Sequence, residues 1–237
     1  MNQALGSPRL HFRRCESTNS TAKSLAEAGA PHGTTVTADE QTSGRGRQGR
    51  AWVAPASSAL LVSALVRPVV DRHKLAPLAA ALAVAETCER LADVRAAIKW
   101  PNDVWIDGRK VAGILVEARP DRSPERSWMV VGIGLNTRVR LAEMPPELQQ
   151  TAYSLNLPVD VEALPPLLAR LDHWLGTDTE PIVAAWRERD ALQGRRIAWA
   201  DGEGEAAGVD ELGNLIVIGD DGASVTLIAG EVHLSVG

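Results

Sequence analysis

The chain has 237 residues, 45% of them apolar and 23% charged, with a formal net charge of −5. This balance excludes wholesale disorder, a collagen-like repeat and a general nucleic-acid coat, but it leaves room for one small basic site. The longest apolar runs, residues 59–66 and 76–85, fall far short of the roughly 20 residues that cross a bilayer, so no membrane span is expected. Residues 1–14 lack an apolar h-region, and Cys15 and Cys88 are too far apart to suggest a disulfide framework or zinc finger. A reduced, cytoplasmic setting is therefore expected.

In chain order, Ser17, Thr18 and Asn19 lead into residues 21–28, good helix formers that stop at Gly29, and so predict a capped helix. Residues 34–38 read as a strand and 59–66 as a buried strand. A long helix is predicted over residues 71–92, with Asp71 as its N-cap and Leu75, Leu78, Leu82, Ala85 and Cys88 at helical spacing. Residues 95–99, 104–106, 111–117 and 127–135 read as sheet, with Asp107-Gly108 as a strong hairpin signal. Helices follow over 159–175 and 179–192, the first disturbed at its start by Pro165 and Pro166. From Gly194 five short strands (196–200, 205–210, 214–218, 224–228 and 232–236) alternate with turns. They suggest a small β-barrel that must lean on the larger unit to have a core. The expected division is a domain over residues 1–192 and a second over 193–237.

The least ordinary stretch is Gln41 to Arg50, with a literal G-x-G-x-x-G at Gly44, Gly46 and Gly49. A dinucleotide fingerprint needs a strand directly before it and a helix directly after; here residues 39–43 intervene and Ala51-Trp52-Val53-Ala54-Pro55 follows, so that reading is rejected. The Lys-Ser/Thr pair of a P-loop is also missing. Residues 41–70 contain no Asp or Glu but four arginines, Arg45, Arg47, Arg50 and Arg67. Glycines let backbone approach an anion, and arginine forks match phosphate and carboxylate, although a solvated loop has the same composition.

Lys99-Trp100-Pro101-Asn102-Asp103 ends one strand and turns into the next. Lys99 follows Ala96-Ala97-Ile98, and a lysine in apolar surroundings calls for an anionic partner. Asp103 can cap the turn through its own backbone. Gly113, Gly132 and Gly134 interrupt apolar strands, which suggests something lying close to the backbone: the floor of a slot for a flat apolar ligand, or two core strands with bulges.

Together these pieces resemble biotin–protein ligase (biotin–acetyl-CoA-carboxylase ligase). The matching segments are Ser17-Thr18-Asn19; Gln41 with residues 44–50 and Trp52; Lys99 to Asp103; Gly108 to Glu117; Gly132 to Asn136; and Gly230-Glu231-Val232. The resemblance implies an α+β fold. A mixed sheet with flanking helices, like that of class II aminoacyl-tRNA synthetases, would carry a small C-terminal Src-homology-3-like barrel. Only 16 residues precede Ser17, so the expectation is a form without the DNA-binding domain of bifunctional members. Lipoate ligase and octanoyl transferase share the catalytic fold and are the alternative activities; a non-enzymatic biotin-sensing module is a third.

The implied reaction joins biotin and ATP into biotinyl-5′-AMP. The acyl group then passes to a lysine on the biotin carboxyl carrier domain of acetyl-CoA carboxylase or a related carboxylase. No DNA or membrane partner is implied, and a homodimer is open. By resemblance, Ser17, Thr18, Asn19 and Gln41 bind or shape the pocket of the ureido ring. Gly44, Gly46, Gly113, Gly132 and Gly134 complete the biotin site. Arg45 and Arg47 hold the carboxylate and the α-phosphate, and Lys99 contacts both and is the main electrostatic catalyst. Arg50, Trp52, Asn102 and Asn136, with Arg47 and Lys99, bind ATP. Mg²⁺ is expected with ATP, with no assigned protein ligand; Asp103 is the nearest candidate and competes with its own turn-capping role. The glycine-spaced arm, residues 44–50, is expected to act as a lid. The scattered histidines (His11, His32, His73, His173 and His233) offer no nucleophile system, and the reaction needs none.

Overall fold

The computed structural model describes residues 4–235. It contains a seven-stranded mixed sheet and a five-stranded antiparallel sheet. The large sheet has the order β1-β2-β3-β7-β6-β5-β4. Its strands are β1 (Arg9–Cys15), β2 (Thr35–Gln41), β3 (Leu60–Val66), β4 (Ala97–Lys99), β5 (Asp103–Ile106), β6 (Arg109–Arg119) and β7 (Trp128–Leu135). Among the described strands only β1 and β2 pair in parallel, joined by α1 (Thr18–Glu27). Strand β1 was not foreseen, because Arg9, Arg13 and Arg14 interleave with its apolar residues; that pattern suits an exposed sheet edge.

Alternation along the strands sorts the core into two layers. On β3, Val62, Ala64 and Val66 belong to one apolar cluster, while Leu65 belongs to the other. On β7, Met129, Val131, Ile133 and Leu135 point to the first cluster, and Trp128 and Val130 to the second. The first cluster is covered by α2 (Ala76–Leu91), α4 (Leu164–Gly176) and α5 (Thr179–Arg187). The short α3 (Pro146–Gln149) lies in the preceding connection. Helix α2 is almost wholly buried and alanine-rich, so its backbone can approach α4 closely. Helix α1 covers the second face with Ala22 and Ala26, against Val36, Leu65, Trp128 and Val130. By the two-residue period of a strand, Ser63, Gly132, Gly134, Gly113, Leu115 and Glu117 share that face, beyond the end of α1. That uncovered part of the face is where the cleft lies.

Local chemistry accounts for where the boundaries fall. The predicted helix 71–92 is split, with a 3-10 turn over Asp71–Leu75 and α2 starting at Ala76 with proline in its first turn. Helix α4 begins at Leu164, later than predicted, because Pro165 and Pro166 are tolerated only in the first turn, where their missing N–H groups would be unbonded anyway. Helix α5 stops at Arg187, short of residue 192. Ser17 stands at the N-cap of α1 without a side-chain cap bond. At the other end Gly29 takes a positive φ of 89°, the usual helix stop. Arg67, counted above among the cationic residues of the arm region, donates to the Ala26 and Ala30 carbonyls at the end of α1 and so serves the helix, not the cleft. Asp107 and Gly108 both have positive φ (50° and 71°), and close the predicted hairpin between β5 and β6.

The second sheet has the order β11-β10-β9-β8-β12. Its strands are β8 (Arg196–Trp199), β9 (Gly202–Val209), β10 (Leu215–Ile218), β11 (Ser224–Leu227) and β12 (His233–Leu234); the predicted end of the last strand, Val236, lies outside the described residues. Its apolar face (Ile197, Ala206, Val209, Leu215, Val217 and Val232) joins the first cluster of the large sheet. Trp100 Nε1 donates to the Gly213 carbonyl at 3.0 Å, and Arg187 donates to the Val209 carbonyl. These bonds fix the second sheet beside the Lys99–Asp103 turn.

Candidate active site

A cleft of about 510 Å³ opens on the α1 face of the large sheet. Its walls are the first turn of α1, the Gly/Arg arm, the β4–β5 and β5–β6 hairpins, and the segment before β12 that carries Glu231. Of the residues assigned to a site from sequence, Ser17, Thr18, Asn19, Gln41, Arg45, Gly46, Arg47, Arg50, Trp52, Lys99, Asn102, Gly113, Gly132 and Gly134 all line it. Residues far apart in sequence thus converge on one cavity.

One end is polar, uncharged at its centre and internally bonded. The Thr18 N–H and hydroxyl both donate to Gln41 Oε1, at 2.7 and 3.0 Å. Because the backbone donor has no alternative polarity, Gln41 must turn its Nε2 hydrogens away from Thr18. Asn19 Nδ2 donates to the Leu115 carbonyl (3.2 Å) and to Glu117 Oε2 (2.9 Å), and Asn19 Oδ1 accepts from Ser63 Oγ (2.6 Å). Ser63 Oγ also lies 2.8 Å from Thr18 Oγ1. Ser63, Gly132 and Leu115 are register partners across β3, β7 and β6, so one row of the sheet meets the Asn19 amide.

The other end is cationic. Arg47, Lys99 and Lys110 stand around Asp103 and Glu231. Asp103 Oδ1 lies 2.7 Å from Lys110 Nζ, so its carboxylate faces an ion pair where a turn cap was expected. Burial pulls the Lys99 ammonium below its ordinary pKa; Asp103 opposes that and Lys110 reinforces it. Lys99 Nζ sits 5.1 Å from the Trp105 ring centroid, a cation–π contact that partly replaces lost water. Burial likewise lowers the Arg47 pKa, with Asp103 and Glu231 opposing. Arg50 donates to Glu231, tying the arm to the segment before β12.

The arm is a small hairpin. Arg45 and Ala51 bridge, Gly46 N–H donates to the Arg50 carbonyl (2.7 Å), and Trp52 N–H donates to the Gly44 carbonyl (3.0 Å). The Gly46 N–H therefore bonds within the arm, where an anion contact was anticipated. Gly44 sits behind the lining; a Cβ there would come within 2.4 Å of the Trp52 carbonyl oxygen. The strand glycines also have specific reasons. A Cβ at Gly132 would lie 2.0 Å from Asn19 Oδ1, and one at Gly134 would lie 2.4 Å from Trp52 Cε2. The slot over the sheet is thus partly filled by the protein's own amide and indole. Asn136 does not line the cleft: it is 3% exposed and its Nδ2 donates to the Tyr153 carbonyl.

Sequence reasoning passed over Lys110, Trp105, Ser63 and Lys23 and gave Glu117 no role. Lys110 and Glu117 sat inside a quoted motif, whereas Ser63 and Lys23 carry no local signal at all. Among the described residues no group of three His, Cys, Asp or Glu side chains could hold a metal ion.

Residues 11–136, more than half of the chain, match the model of the biotin/lipoate A/B protein ligase family. The chain belongs to that family. It is 36% identical over 232 residues to the biotin–[acetyl-CoA-carboxylase] ligase of Paracoccus denitrificans, covering 90% of this chain and 95% of that one. It is 37% identical over 156 residues to the bifunctional ligase/repressor BirA of Bacillus subtilis, of which it covers 48%, so it spans about half the length of that relative. Among solved structures, the biotin protein ligase of Aquifex aeolicus in complex with biotin and ATP superposes with a TM-score of 0.80 at 26% identity, over 97% of this chain and 99% of that one.

Proposed function

We propose that this protein is an ATP-dependent biotin–protein ligase. The observation that carries the reading is one continuous cleft with a fixed, uncharged hydrogen-bonding end and a cationic end, of a size ordinary for a small-molecule site. The polar end suits the ureido ring of biotin. Gln41 Nε2 would donate to the ring carbonyl, and the Asn19 Oδ1 face would receive a ring N–H. A lipoyl or octanoyl head offers neither group and would give the Gln41 amide no partner and Asn19 Oδ1 no second donor, which disfavours the alternative acids.

At the cationic end Arg45, Arg47, Lys99 and Lys110 bring two mutually repelling anions together. The biotin carboxylate oxygen attacks the α-phosphorus of ATP, the bond to the bridging oxygen breaks, and pyrophosphate leaves. Charge builds on the phosphoryl oxygens, and cations already gathered at that end of the cleft stabilise it. The lysine amine of a carrier domain then attacks the acyl carbon of biotinyl-5′-AMP. The carbon–oxygen bond to phosphate breaks, an amide forms, AMP leaves and the amine's proton passes to solvent. The carrier would be the biotin carboxyl carrier domain of a carboxylase. Positioning supplies the catalysis, so no enzyme nucleophile is needed.

No protein cage for a metal exists among the described residues, and Asp103 and Glu231 already face cations. Mg²⁺ therefore belongs to the substrate as Mg·ATP. Arg50 and Trp52 border the same end and are assigned to the nucleotide.

Incubation with biotin, Mg·ATP and a carrier domain should add one biotinyl group to the carrier by mass. Lipoate in place of biotin should release no pyrophosphate. Biotin binding without pyrophosphate release would favour a sensing module instead.

A further inference from the structure

Asn19 and Lys23 are four residues apart on α1 and so share one face of the helix, from which both side chains reach β6. Glu117 on β6 accepts from both: Oε1 from Lys23 Nζ at 2.5 Å, and Oε2 from Asn19 Nδ2 at 2.9 Å. We propose that Glu117, clamped by Lys23, is a positioning residue that sets the side-chain amide of Asn19 and thereby the hydrogen-bond polarity of the head-group end of the cleft. The inference rests on reading that cleft as a biotin site.

An asparagine amide can flip by half a turn, exchanging its donor and acceptor ends. Here the flip is blocked. It would turn Oδ1 toward the Leu115 carbonyl and the Glu117 carboxylate, two acceptors, and turn Nδ2 toward Ser63. Glu117 is the stronger of the two acceptors because it is charged. Burial alone would raise its pKa, but the bonds from Lys23 and Asn19 and the field of Arg45 outweigh burial and hold the carboxyl below its ordinary value. With Asn19 fixed, its Oδ1 takes the Ser63 proton and keeps one lone pair over Gly132. Thr18 independently fixes Gln41 with its Nε2 donor end turned away from Thr18. The end of the cleft thus offers one acceptor and a set of donors. A cyclic urea, with N–H groups and a carbonyl side by side, is complementary to that pair. Glu117 itself does not line the cleft, so it acts through Asn19.

The test is steady-state pyrophosphate release by the full chain with Mg·ATP and varied biotin. Glu117→Ala should raise the KM for biotin about 10-fold while kcat and the KM for ATP stay within about 2-fold, because the carboxylate and phosphate contacts are untouched. Glu117→Gln keeps an acceptor toward Asn19 and should recover the biotin KM to within about 3-fold of wild type. An unchanged biotin KM in Glu117→Ala would overturn the proposal. So would an equal loss in kcat and the KM for ATP, or a Glu117→Gln variant as impaired as Glu117→Ala. If Glu117→Ala fails to fold by its melting curve, Lys23→Ala carries the test, and an unaltered biotin KM there overturns it. Wild-type protein that releases no biotin-dependent pyrophosphate would refute the ligase reading, whereas an active wild type with insensitive variants refutes only the role of Glu117.

Discussion

At one end of the cleft the protein engages both polar atoms of the Asn19 side chain; at the other, Arg47, Lys99 and Lys110 crowd around two carboxylates. The first end is built on regular structure: the first turn of α1 and three sheet strands in register. The second is built on turns, a glycine-spaced arm and an ion pair to the segment before β12. Recognition of a neutral ring requires atoms that are already in place, since a loose donor discriminates poorly. Gathering anions requires charge that can close over them, since the same groups must later release a product. If this contrast is right, changes at the cationic end should act mainly on rate, and changes at the polar end mainly on biotin affinity.

The largest effect is expected at Lys99. It is the half-buried cation closest to apolar surroundings, with Trp105 against its ammonium. Lys99→Ala should slow biotin-dependent adenylate formation about 10²–10³-fold, as loss of one preorganised charge donor usually does. Single-turnover pyrophosphate release reads this directly. A variant within 10-fold of wild type would shift the catalytic weight to Lys110, which pairs with Asp103 beside it.

Two glycines on one strand sharpen the contrast. Gly132→Ala would drive a methyl into Asn19 Oδ1, and Asn19 cannot move without giving up its bonds to Leu115, Glu117 and Ser63. The expected result is a biotin KM raised on the order of 10- to 100-fold, the range for buried polar groups left unbonded. Gly134→Ala would meet the Trp52 ring, which hangs from the arm and has no hydrogen bond on its Nε1. That ring can swing aside, so the effect should be only a few-fold and should fall on ATP, not biotin. Equal effects on biotin from both alanines would erase the distinction between the two ends.

Much of this was legible because anion chemistry leaves local marks. Arg45, Arg47, Arg50 and Lys99 stand out within their own segments, and the glycines beside them signal close approach. The hairpin at Asp107-Gly108 was readable for the same reason: two consecutive positive φ angles demand that residue pair. What supports the polar end was not legible. Ser63 lies in an apolar run 44 residues from Asn19, and Glu117 lies 94 residues from Lys23. Only strand register brings them together, and register is a property of the assembled sheet. The glycines of β7 were read as the floor of a ligand slot or as bulged core strands; both line the cleft and both also make room for Asn19 and Trp52, and a missing Cβ reveals that something approaches, not what.

Arg47 tests the arm. Its guanidinium lines the cleft within the fields of Asp103 and Glu231 and is carried by the glycine-spaced arm. Arg47→Gly should leave adenylate formation measurable but shorten retention of biotinyl-5′-AMP several-fold, with stray biotin appearing on exposed lysines of bystander proteins. Mass spectrometry of an added non-carrier protein checks this. In the unmodified protein, hydrogen exchange across residues 44–50 should slow when biotin and Mg·ATP are present. Equal protection with and without ligands would mean that the arm is a fixed wall.

The mildest expectation concerns pH. Burial disfavours the charged form of Lys99, so in the free protein its ammonium loses its proton below the ordinary lysine value of 10.5. The ammonium is the form that stabilises the phosphoryl charge, so kcat/KM should turn down on the alkaline side below pH 10.5. Bound biotin and ATP bring negative charge to the same spot and favour the ammonium, so the downturn in kcat should lie at higher pH than that in kcat/KM. Lys99→Arg, with a guanidinium that keeps its proton, should remove the alkaline limb even if the variant is slower throughout. If both limbs coincide, or if the limb survives in Lys99→Arg, the titrating group is not Lys99, and Lys110 becomes the residue to examine.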